Sequence, residues 1–241
     1  MQNKLDRLQK NGFLKVRILN KKNNNLIIKE IEKIFLSKNK KIALDDHVSN
    51  LYKTNPIFAS RCYDLLNKSS VIKKIFLNNK IFKSIRYYFR LKLNARLSFA
   101  NFQFLIMLPG TKIENLGWHQ DSRYFKFSNK INSSFILWTS ISSRRKKVNG
   151  TLSVFPESHK QGSIIHSQNI LKFRKKAPIN KRGLYFINTK KLNRLKKKKN
   201  INFTSGDTLL FDGNIVHKTG PNLKNSKDIR YTIIARYILN N

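Results

Sequence analysis

Cysteine is almost missing from the sequence, with Cys62 the single one among 241 residues. A disulfide within the chain is therefore excluded, which agrees with a reducing compartment. Long hydrophobic runs are missing too, because no stretch approaches the roughly 18 apolar residues that a membrane span requires. The N-terminal residues are polar and lack the apolar segment of a signal peptide. These absences predict a cytoplasmic protein with no membrane span.

Acidic residues are also scarce, since 12 Asp and Glu stand against 50 Lys and Arg, for a formal net charge of +38. This excess fits a polyanionic partner such as nucleic acid, an anionic lipid surface or phosphorylated substrates. It fits compositional drift equally well, because Lys, Asn and Ile are abundant from end to end. Charge alone speaks to solubility and nonspecific association, so both explanations stay open.

Glycine and proline, at 9 and 5 residues, are too few to suggest a linker, and no internal repeat is visible. Hydrophobic residues make up 40% of the chain, including 17 phenylalanines. A chain of this length and composition can bury a substantial core. We therefore expect a single domain over residues 1–241.

The hydrophobic pattern changes near residue 95. Residues 13–19 alternate apolar and basic side chains, which predicts a short strand. Otherwise apolar residues recur at three- and four-residue steps, which predicts that residues 1–95 are mostly helical. Over residues 96–241, short β-branched and aromatic runs are separated by turn pairs such as Asn149-Gly150 and Gly220-Pro221. Many short strands between turns indicate a sandwich or barrel.

A basic insertion over residues 167–200 interrupts this strand pattern, and it contains four consecutive lysines near its end. Such a run is ordinarily a solvated loop. Inside a β-domain it can also form a lid over a ligand pocket.

A His-x-Asp pair, His119 and Asp121, stands early in the β-rich part. On a strand, residues two apart point to the same face, so an imidazole and a carboxylate can converge on one ion. The pair alone is not specific, but His217 follows the turn-bounded run 206–213 and supplies a second histidine. Two histidines and one carboxylate leave three open positions on an octahedral ion, as non-haem iron(II) oxygenases require.

Arg230 follows His217 by thirteen residues, inside a strand-like run. A guanidinium can bind a carboxylate through two parallel hydrogen bonds, which a lysine cannot do equally well. Its spacing from His217 favours Arg230 as the residue that binds the distal carboxylate of 2-oxoglutarate. The alternative is one more surface cation among the 50 basic residues.

Three ordered blocks, at residues 118–127, 149–162 and 206–230, resemble the phytanoyl-CoA dioxygenase family. The second block contains Phe-Pro-Glu-Ser-His, similar to a family stretch that ends in Pro-Gly-Ser-His. The resemblance implies a mainly β fold with N-terminal helices, built on a double-stranded β-helix of the jelly-roll, cupin-like type. It also implies iron(II), 2-oxoglutarate as co-substrate and molecular oxygen, with decarboxylation of 2-oxoglutarate coupled to substrate hydroxylation.

Residue by residue, the resemblance implies two groups of site residues. The implied iron ligands are His119, Asp121 and His217. The implied 2-oxoglutarate residues are Arg230, Thr219, Gln103 and Trp138. Thr219 stands where the family has a hydroxyl residue near the same carboxylate. Gln103 stands where it has a hydrogen-bonding amide, and Trp138 where it has a tryptophan that lines the pocket.

Glu157 departs from the family pattern, because it occupies the glycine position of Pro-Gly-Ser-His. If this position requires a positive φ, a glutamate is strained there. We interpret His159 as a loop histidine that supports the β-helix and not as a metal ligand. His47 and His166 have no partner at ligand spacing, and we expect them to be exposed.

The expected function is that of an iron(II)- and 2-oxoglutarate-dependent dioxygenase that hydroxylates a small, anionic organic substrate. The carboxylate of Asp121 argues against halogenation, since halogenating relatives give it up to make room for chloride. A non-enzymatic cupin-like binding protein is disfavoured by the complete ligand set and the arginine.

The alternative enzyme is a demethylase of alkylated nucleic acids, which shares the iron, the co-substrate and the fold. The net charge favours it, and so does Arg236, which gives the Arg-x5-Arg spacing of those enzymes. The block at 149–162 and the lack of an Asn-x-Tyr motif before the metal pair speak against it. We therefore expect nucleic acid to bind only nonspecifically.

Overall fold

A computed structural model describes residues 2–36, 42–110, 117–124, 133–141, 147–169, 184–220, 222 and 228–240. The N-terminal helices are α1 (Gln2–Asn11), α2 (Lys21–Leu36), α3 (Leu44–Thr54), α4 (Pro56–Lys68), α5 (Ser70–Phe76) and α6 (Asn79–Tyr88). One strand, β1 (Phe13–Val16), lies between α1 and α2. None of the helices in these described ranges combines the length and the apolar character needed to cross a bilayer.

Strands dominate the remainder of the described chain. They are β2 (Arg96–Met107), β3 (Ser134–Ile141), β4 (Lys147–Val154), β5 (Ser167–Asn169), β6 (Leu184–Phe186), β7 (Lys199–Thr204), β8 (Thr208–Asp212), β9 (His217–Thr219) and β10 (Arg230–Asn240). Two short helices, α7 (Asp121–Tyr124) and α8 (Thr189–Leu192), and one 3-10 turn (Ser158–Gln161) lie between them.

Two antiparallel sheets share one apolar interior. The first has the strand order β1-β8-β3-β10-β2, and the second has the order β7-β4-β9. The inner faces of both sheets contribute to a single buried cluster, whose members include Trp138, Phe211, Leu152 and Phe203. Because each strand alternates its side chains, one face of each sheet is committed to this interior. The predicted jelly-roll fold class is confirmed.

The helices cover the other face of the five-stranded sheet. Helical residues such as Ile31, Phe76 and Ile85 form one buried cluster with Tyr231 and Ile233 of β10. The intervening residues of β10 point to the jelly-roll interior instead. β10 therefore lies between two apolar layers, and this explains its nearly complete burial.

Side-chain caps start several of these helices. Asn55 accepts the Phe58 N–H at the start of α4, and Ser69 accepts the Ile72 N–H at the start of α5. Such caps satisfy backbone donors that have no partner within the helix. Pro56 at the first position of α4 needs no such partner, since it has no N–H.

The described part of the predicted basic insertion contains β5, β6 and α8. β5 and β6 pair only with each other in the described structure, outside the two main sheets. β7 begins at Lys199 and joins the three-stranded sheet, so the last residues assigned to the insertion belong to that sheet. Residues 170–183 of the insertion lie outside the described residues.

A buried carboxylate joins the helical layer to the beginning of β10. Asp45, in the first turn of α3, is 7% exposed. Its Oδ1 accepts the Tyr231 hydroxyl at 3.0 Å, and its Oδ2 accepts the Ile229 N–H at 3.2 Å. These two donors flank Arg230 in the sequence. The helix α3 thus fixes the end of β10 that bears this arginine.

We predict that Asp45→Ala destabilises the protein, because two buried donors lose a charged acceptor. The expected loss is about 2–4 kcal/mol in the free energy of unfolding, measured by urea denaturation. Asp46→Ala is the matched control, since Asp46 stands in the same first turn of α3 and is exposed. Equal stability of the two variants would contradict a role for this contact.

Candidate metal centre

The two histidines of the predicted metal site are joined through their backbones. The His119 N–H donates to the His217 carbonyl at 3.0 Å, and the His217 N–H donates back at 2.9 Å. Residues directly opposite each other in an antiparallel pair carry their side chains on the same face. The two imidazole centroids accordingly lie 4.2 Å apart.

Asp121 is placed by a helical turn and not by a strand. His119 makes an isolated bridge to His217, whereas Asp121 is the first residue of α7. The Ser122 N–H donates to the Gly213 carbonyl at 3.1 Å, and this bond turns the chain away from an extended course. The expectation that His119 and Asp121 share one strand face is therefore wrong, although their side chains still converge.

The three side chains meet in one buried cluster. The ligand atoms of His119, Asp121 and His217 all lie within 4.8 Å of one another. Asp121 Oδ1 lies 3.7 Å from His119 Nε2 and 3.8 Å from His217 Nε2. No other group of three histidine, cysteine or acidic residues in the described chain is arranged to hold a metal ion. Two imidazoles and one carboxylate suit iron(II), so the donor set fits the implied metal.

Hydrogen bonds determine which imidazole nitrogen faces the cluster. His119 Nδ1 lies 2.8 Å from the Gly117 carbonyl, and His217 Nδ1 lies 3.0 Å from the Ile215 carbonyl. A carbonyl can only accept, so each Nδ1 donates and each Nε2 keeps its lone pair for a metal. Burial, with repulsion from His217, lowers the pKa of His119 to about 3, and burial lowers that of His217. Both imidazoles are neutral at pH 7, which is the metal-binding form.

The carboxylate of Asp121 is compensated by a buried arginine. Arg236 Nε donates to Asp121 Oδ2 at 2.8 Å, and both side chains are 4% exposed. Burial acts to raise the pKa of Asp121, but Arg236 and the two histidines outweigh it and lower the pKa. Asp121 is therefore an ionised ligand candidate.

Gln120 and His166 support the cluster, and neither role was predicted. The Gln120 N–H donates to His166 Nε2 at 3.0 Å. The Gln120 amide donates to the Gly162 carbonyl at 2.8 Å and to the Asn214 carbonyl at 2.6 Å. The expectation that His166 is exposed is wrong, since its side chain is 7% exposed and accepts the hydrogen bond from Gln120. Gln120 lies between His119 and Asp121 in the sequence, and this position is its one sequence signal.

Arg230 lies on the inner face of β10 and is almost completely buried. Its Nη2 contacts Met107 Sδ and donates to the Gly220 carbonyl at 2.7 Å. Thr219 is half-buried beside Gly220, and it shares the face of His217 because the two are two residues apart on β9. Burial lowers the pKa of Arg230 to about 10, so the guanidinium stays charged at neutral pH.

Three buried polar atoms face the same interior as Arg230. Trp138 Nε1, Ser140 Oγ and Thr232 Oγ1 have no hydrogen-bond partner among the described residues. Thr232 of β10 pairs with Ser140 of β3. Two residues further along β10, Ile234 pairs with Trp138. Buried polar atoms are nearly always hydrogen-bonded in native proteins. Together with Arg230 they fit a ligand that is rich in carboxylate and carbonyl oxygens, as 2-oxoglutarate is.

Gln103 lies elsewhere in the interior, next to Arg236. Its Oε1 lies 3.5 Å from Arg236 Nη2, and Asn101 Oδ1 lies 3.2 Å from Arg236 Nη1. Both amides are on β2, which pairs with β10. The structure thus brings Gln103 to the arginine that contacts Asp121.

Glu157 has a positive φ, with φ 65° and ψ 0°, so the condition under which a glutamate is strained here is met. Lys160 and Lys196 form ion pairs with its carboxylate. His159 is buried against Gly12, whose φ is 79° and where any β-carbon would clash with the imidazole ring. This packing agrees with a supporting role for His159.

A jelly roll that gathers two histidines, one carboxylate and a buried arginine in its interior is the architecture of the iron- and 2-oxoglutarate-dependent oxygenases. The model of the family described as Phytanoyl-CoA dioxygenase (PhyH) matches residues 8–231, and the chain belongs to this family. The protein is therefore a 2-oxoglutarate-dependent dioxygenase that uses iron.

Solved structures with the same fold include the α-ketoglutarate-dependent carbocyclase SnoK from nogalamycin biosynthesis, with a TM-score of 0.65 and 14% identity over 99% of this chain and 84% of that one. The epimerase SnoN, in complex with Fe3+, α-ketoglutarate and nogalamycin RO, has a TM-score of 0.60 and 12% identity over 98% and 82%. HygX from Streptomyces hygroscopicus, with nickel and 2-oxoglutarate bound, has a TM-score of 0.57 and 13% identity over 99% and 87%. No significant match is found among curated protein sequences.

We predict that His217→Ala weakens iron(II) binding by more than about 100-fold, because losing a ligand exceeds the usual cost of losing an outer hydrogen bond. The fold, which rests on strand packing, should persist by circular dichroism. His47→Ala, on α3, should bind iron(II) like the wild type. Wild-type iron affinity and 2-oxoglutarate turnover in the His217→Ala protein would remove His217 from the site.

Proposed function

We propose that the protein hydroxylates a small, anionic organic substrate, with iron(II) bound by His119, Asp121 and His217. One observation carries the proposal. The ligand atoms of these three residues converge within 4.8 Å in the same interior that Arg230 enters from β10. A metal and an anionic co-substrate can therefore be held side by side.

The co-substrate site follows from the inner face of the five-stranded sheet. Arg230 binds the distal carboxylate of 2-oxoglutarate, and Thr219 lies beside it at the end of β9. The polar atoms of Trp138, Ser140 and Thr232 offer further hydrogen bonds in the same pocket. Because the site is buried, these interactions are stronger than they would be in water.

The residues of the chain supply binding, orientation and exclusion of water, and the hard chemistry belongs to the cofactors. When bound, iron(II) and 2-oxoglutarate together activate oxygen, while 2-oxoglutarate is converted to succinate and carbon dioxide. The mechanism therefore requires no catalytic acid or base from the protein.

Hydroxylation is one of several outcomes that this fold supports, since SnoN and SnoK are described as an epimerase and a carbocyclase. Epimerisation needs a group that returns a hydrogen atom to carbon. The only cysteine, Cys62, is buried in α4 with its thiol facing the Ile34 carbonyl. Asp121 also keeps the carboxylate that halogenation would displace. We favour hydroxylation because it needs no further group from the protein.

Basic residues near the metal centre favour an anionic substrate. Exposed Lys190, Lys191 and Arg194 stand on and just after α8. This segment is anchored beside the cluster, because the Ile187 N–H donates to the Trp118 carbonyl at 2.7 Å, next to His119. A substrate that bears phosphate, carboxylate or a CoA-like group would be attracted to this surface.

The test is succinate release across a library of anionic metabolites, with iron(II) and 2-oxoglutarate, followed by mass spectrometry of any product made under ¹⁸O₂. Hydroxylation adds one labelled oxygen to the product. Epimerisation leaves the mass unchanged, and ring closure removes two hydrogens. A product without labelled oxygen would replace hydroxylation by one of these reactions.

We predict that Arg230→Ala raises the KM for 2-oxoglutarate by about 30-fold or more, since losing a buried charge pair costs roughly 2–5 kcal/mol. Initial rates of succinate release measure this KM. Arg61→Ala, at an exposed site on α4, is the matched control and should leave it unchanged. An unchanged KM in Arg230→Ala would transfer the role to another cation, with Arg236 first to be tested.

The alternative function, demethylation of alkylated nucleic acid, is favoured by the net charge of +38 and by the placement of Arg236 in the site. It requires in addition that an unstacked base be held in the pocket. Binding alone cannot decide between the two functions, because a chain of this charge binds any nucleic acid at low ionic strength.

We predict that nucleic-acid binding fades by physiological salt and that no demethylation occurs. Counterion release reduces such nonspecific affinity by about 10³–10⁵ between 50 and 200 mM salt for 6–10 phosphate contacts. The measurement is binding of methylated oligonucleotides over this range, with formaldehyde release in 150 mM salt. Formaldehyde produced at the rate of succinate would establish the demethylase instead.

A further inference from the structure

The two oxygens of the Asp121 carboxylate have different surroundings. Oδ1 faces the imidazoles, at 3.7 Å from His119 Nε2 and 3.8 Å from His217 Nε2. Oδ2 accepts the hydrogen bond from Arg236 Nε at 2.8 Å. One oxygen is thus available to a metal held between the histidines, while the other is engaged by the protein.

Arg236 is itself held in place by the neighbouring strand. Its Nη1 lies 3.2 Å from Asn101 Oδ1, and its Nη2 lies 3.5 Å from Gln103 Oε1. On the next residue of β2, the Phe104 N–H donates to Asn67 Oδ1 on α4 at 2.7 Å. The guanidinium is therefore fixed from the β2 side, and its position relative to Asp121 is connected to the helical layer.

A register shift stands at the same place in the sheet. Arg236 pairs with Asn101, but the next residue, Tyr237, pairs with Phe99, so Ala100 is an extra residue on β2. Bulges of this kind redirect side chains and are common beside active sites. Here the bulge lies directly after the pair that joins Arg236 to Asn101.

A cation this close to a divalent metal opposes metal binding electrostatically, so its benefit must lie elsewhere. A carboxylate that is free to rotate can bind a metal through both oxygens and thereby occupy an additional coordination position. Iron in this enzyme class needs three open positions, two for the co-substrate and one for oxygen. Such a rotation would break the hydrogen bond from Arg236 Nε to Oδ2, so this bond opposes it.

We infer that Arg236 is a positioning residue that restricts Asp121 to metal binding through Oδ1 alone, and so keeps a coordination position open. The inference rests on the proposed metal ligands. Asn101 and Gln103 act on Asp121 indirectly, because they hold the guanidinium of Arg236. None of these residues is required to touch the substrate.

The test is titration of the metal-free protein with cobalt(II), whose visible absorption reports coordination number and which does not require turnover. Arg236→Lys keeps the charge and loses the Nε geometry, so it separates orientation from electrostatics. We expect its Kd for cobalt(II) to stay within about 3-fold of the wild-type value or to fall, because a carboxylate that is free to rotate gives the metal a second oxygen, whereas a merely structural defect at a ligand's partner would raise the Kd by about 10–100-fold. Its visible spectrum should also differ from that of the wild type, as a change in carboxylate binding requires.

A second variant covers the case in which Arg236→Lys does not fold. Asn101→Ala combined with Gln103→Ala removes the partners of Arg236 at two half-buried positions. It should shift the cobalt(II) spectrum in the same direction, again without a rise in Kd. Arg61→Lys is the control for the arginine-to-lysine exchange, since Arg61 is exposed on α4 and its replacement should leave the cobalt(II) titration unchanged.

A wild-type cobalt(II) spectrum in both the Arg236→Lys protein and the double variant would overturn the inference. So would a rise confined to the Kd for 2-oxoglutarate, because Arg236 would then act on the co-substrate. The proposed function is tested separately, by whether the wild-type protein binds cobalt(II) at all and releases succinate with iron(II). A failure of one proposal is thus distinguishable from a failure of the other.

Discussion

An ionised carboxylate that is almost fully removed from water is the constraint around which the interior of this protein is organised. Burying a charge is costly unless it is paired and hydrogen-bonded. Asp121 is paired with Arg236, and the neutral imidazoles of His119 and His217 stand on its other side. Arg236 is buried in consequence and needs the amides of β2. The chemistry expected of the site and the stability of the fold thus depend on the same buried charge.

The fold class could be predicted from the sequence because the relevant signals are local. Apolar spacing changes from helical to strand-like near residue 95, and the observed helices and strands follow that change. The helix α1 lies within the stretch predicted to be mostly helical. Contacts between distant residues, in contrast, left no local signal. Asp45 and Tyr231 are far apart in sequence, and no spacing rule connects them.

The candidate site could be predicted only where ordered sequence motifs encode it. The set of His119, Asp121, His217 and Arg230 could be named from ordered motifs, and the structure places all four in one interior, while their roles stay proposals. The local conformation at Asp121 could not be named, because a tertiary bond from Ser122 to Gly213 determines it. The same holds for the Gln120–His166 contact, which joins residues 46 apart in the sequence.

The polar atoms that Trp138, Ser140 and Thr232 present to the interior have no hydrogen-bond partner among the described residues, and this has a thermodynamic consequence. Each offers a ligand a hydrogen bond that the rest of the described protein does not use. A molecule that satisfies these atoms binds the folded state and not the unfolded chain. Binding therefore increases the free energy of unfolding. The increase grows with the logarithm of the ligand concentration once that concentration exceeds the Kd. The abundance of such an enzyme in a cell would then follow the supply of its co-substrate, with well-supplied cells retaining more of the folded protein.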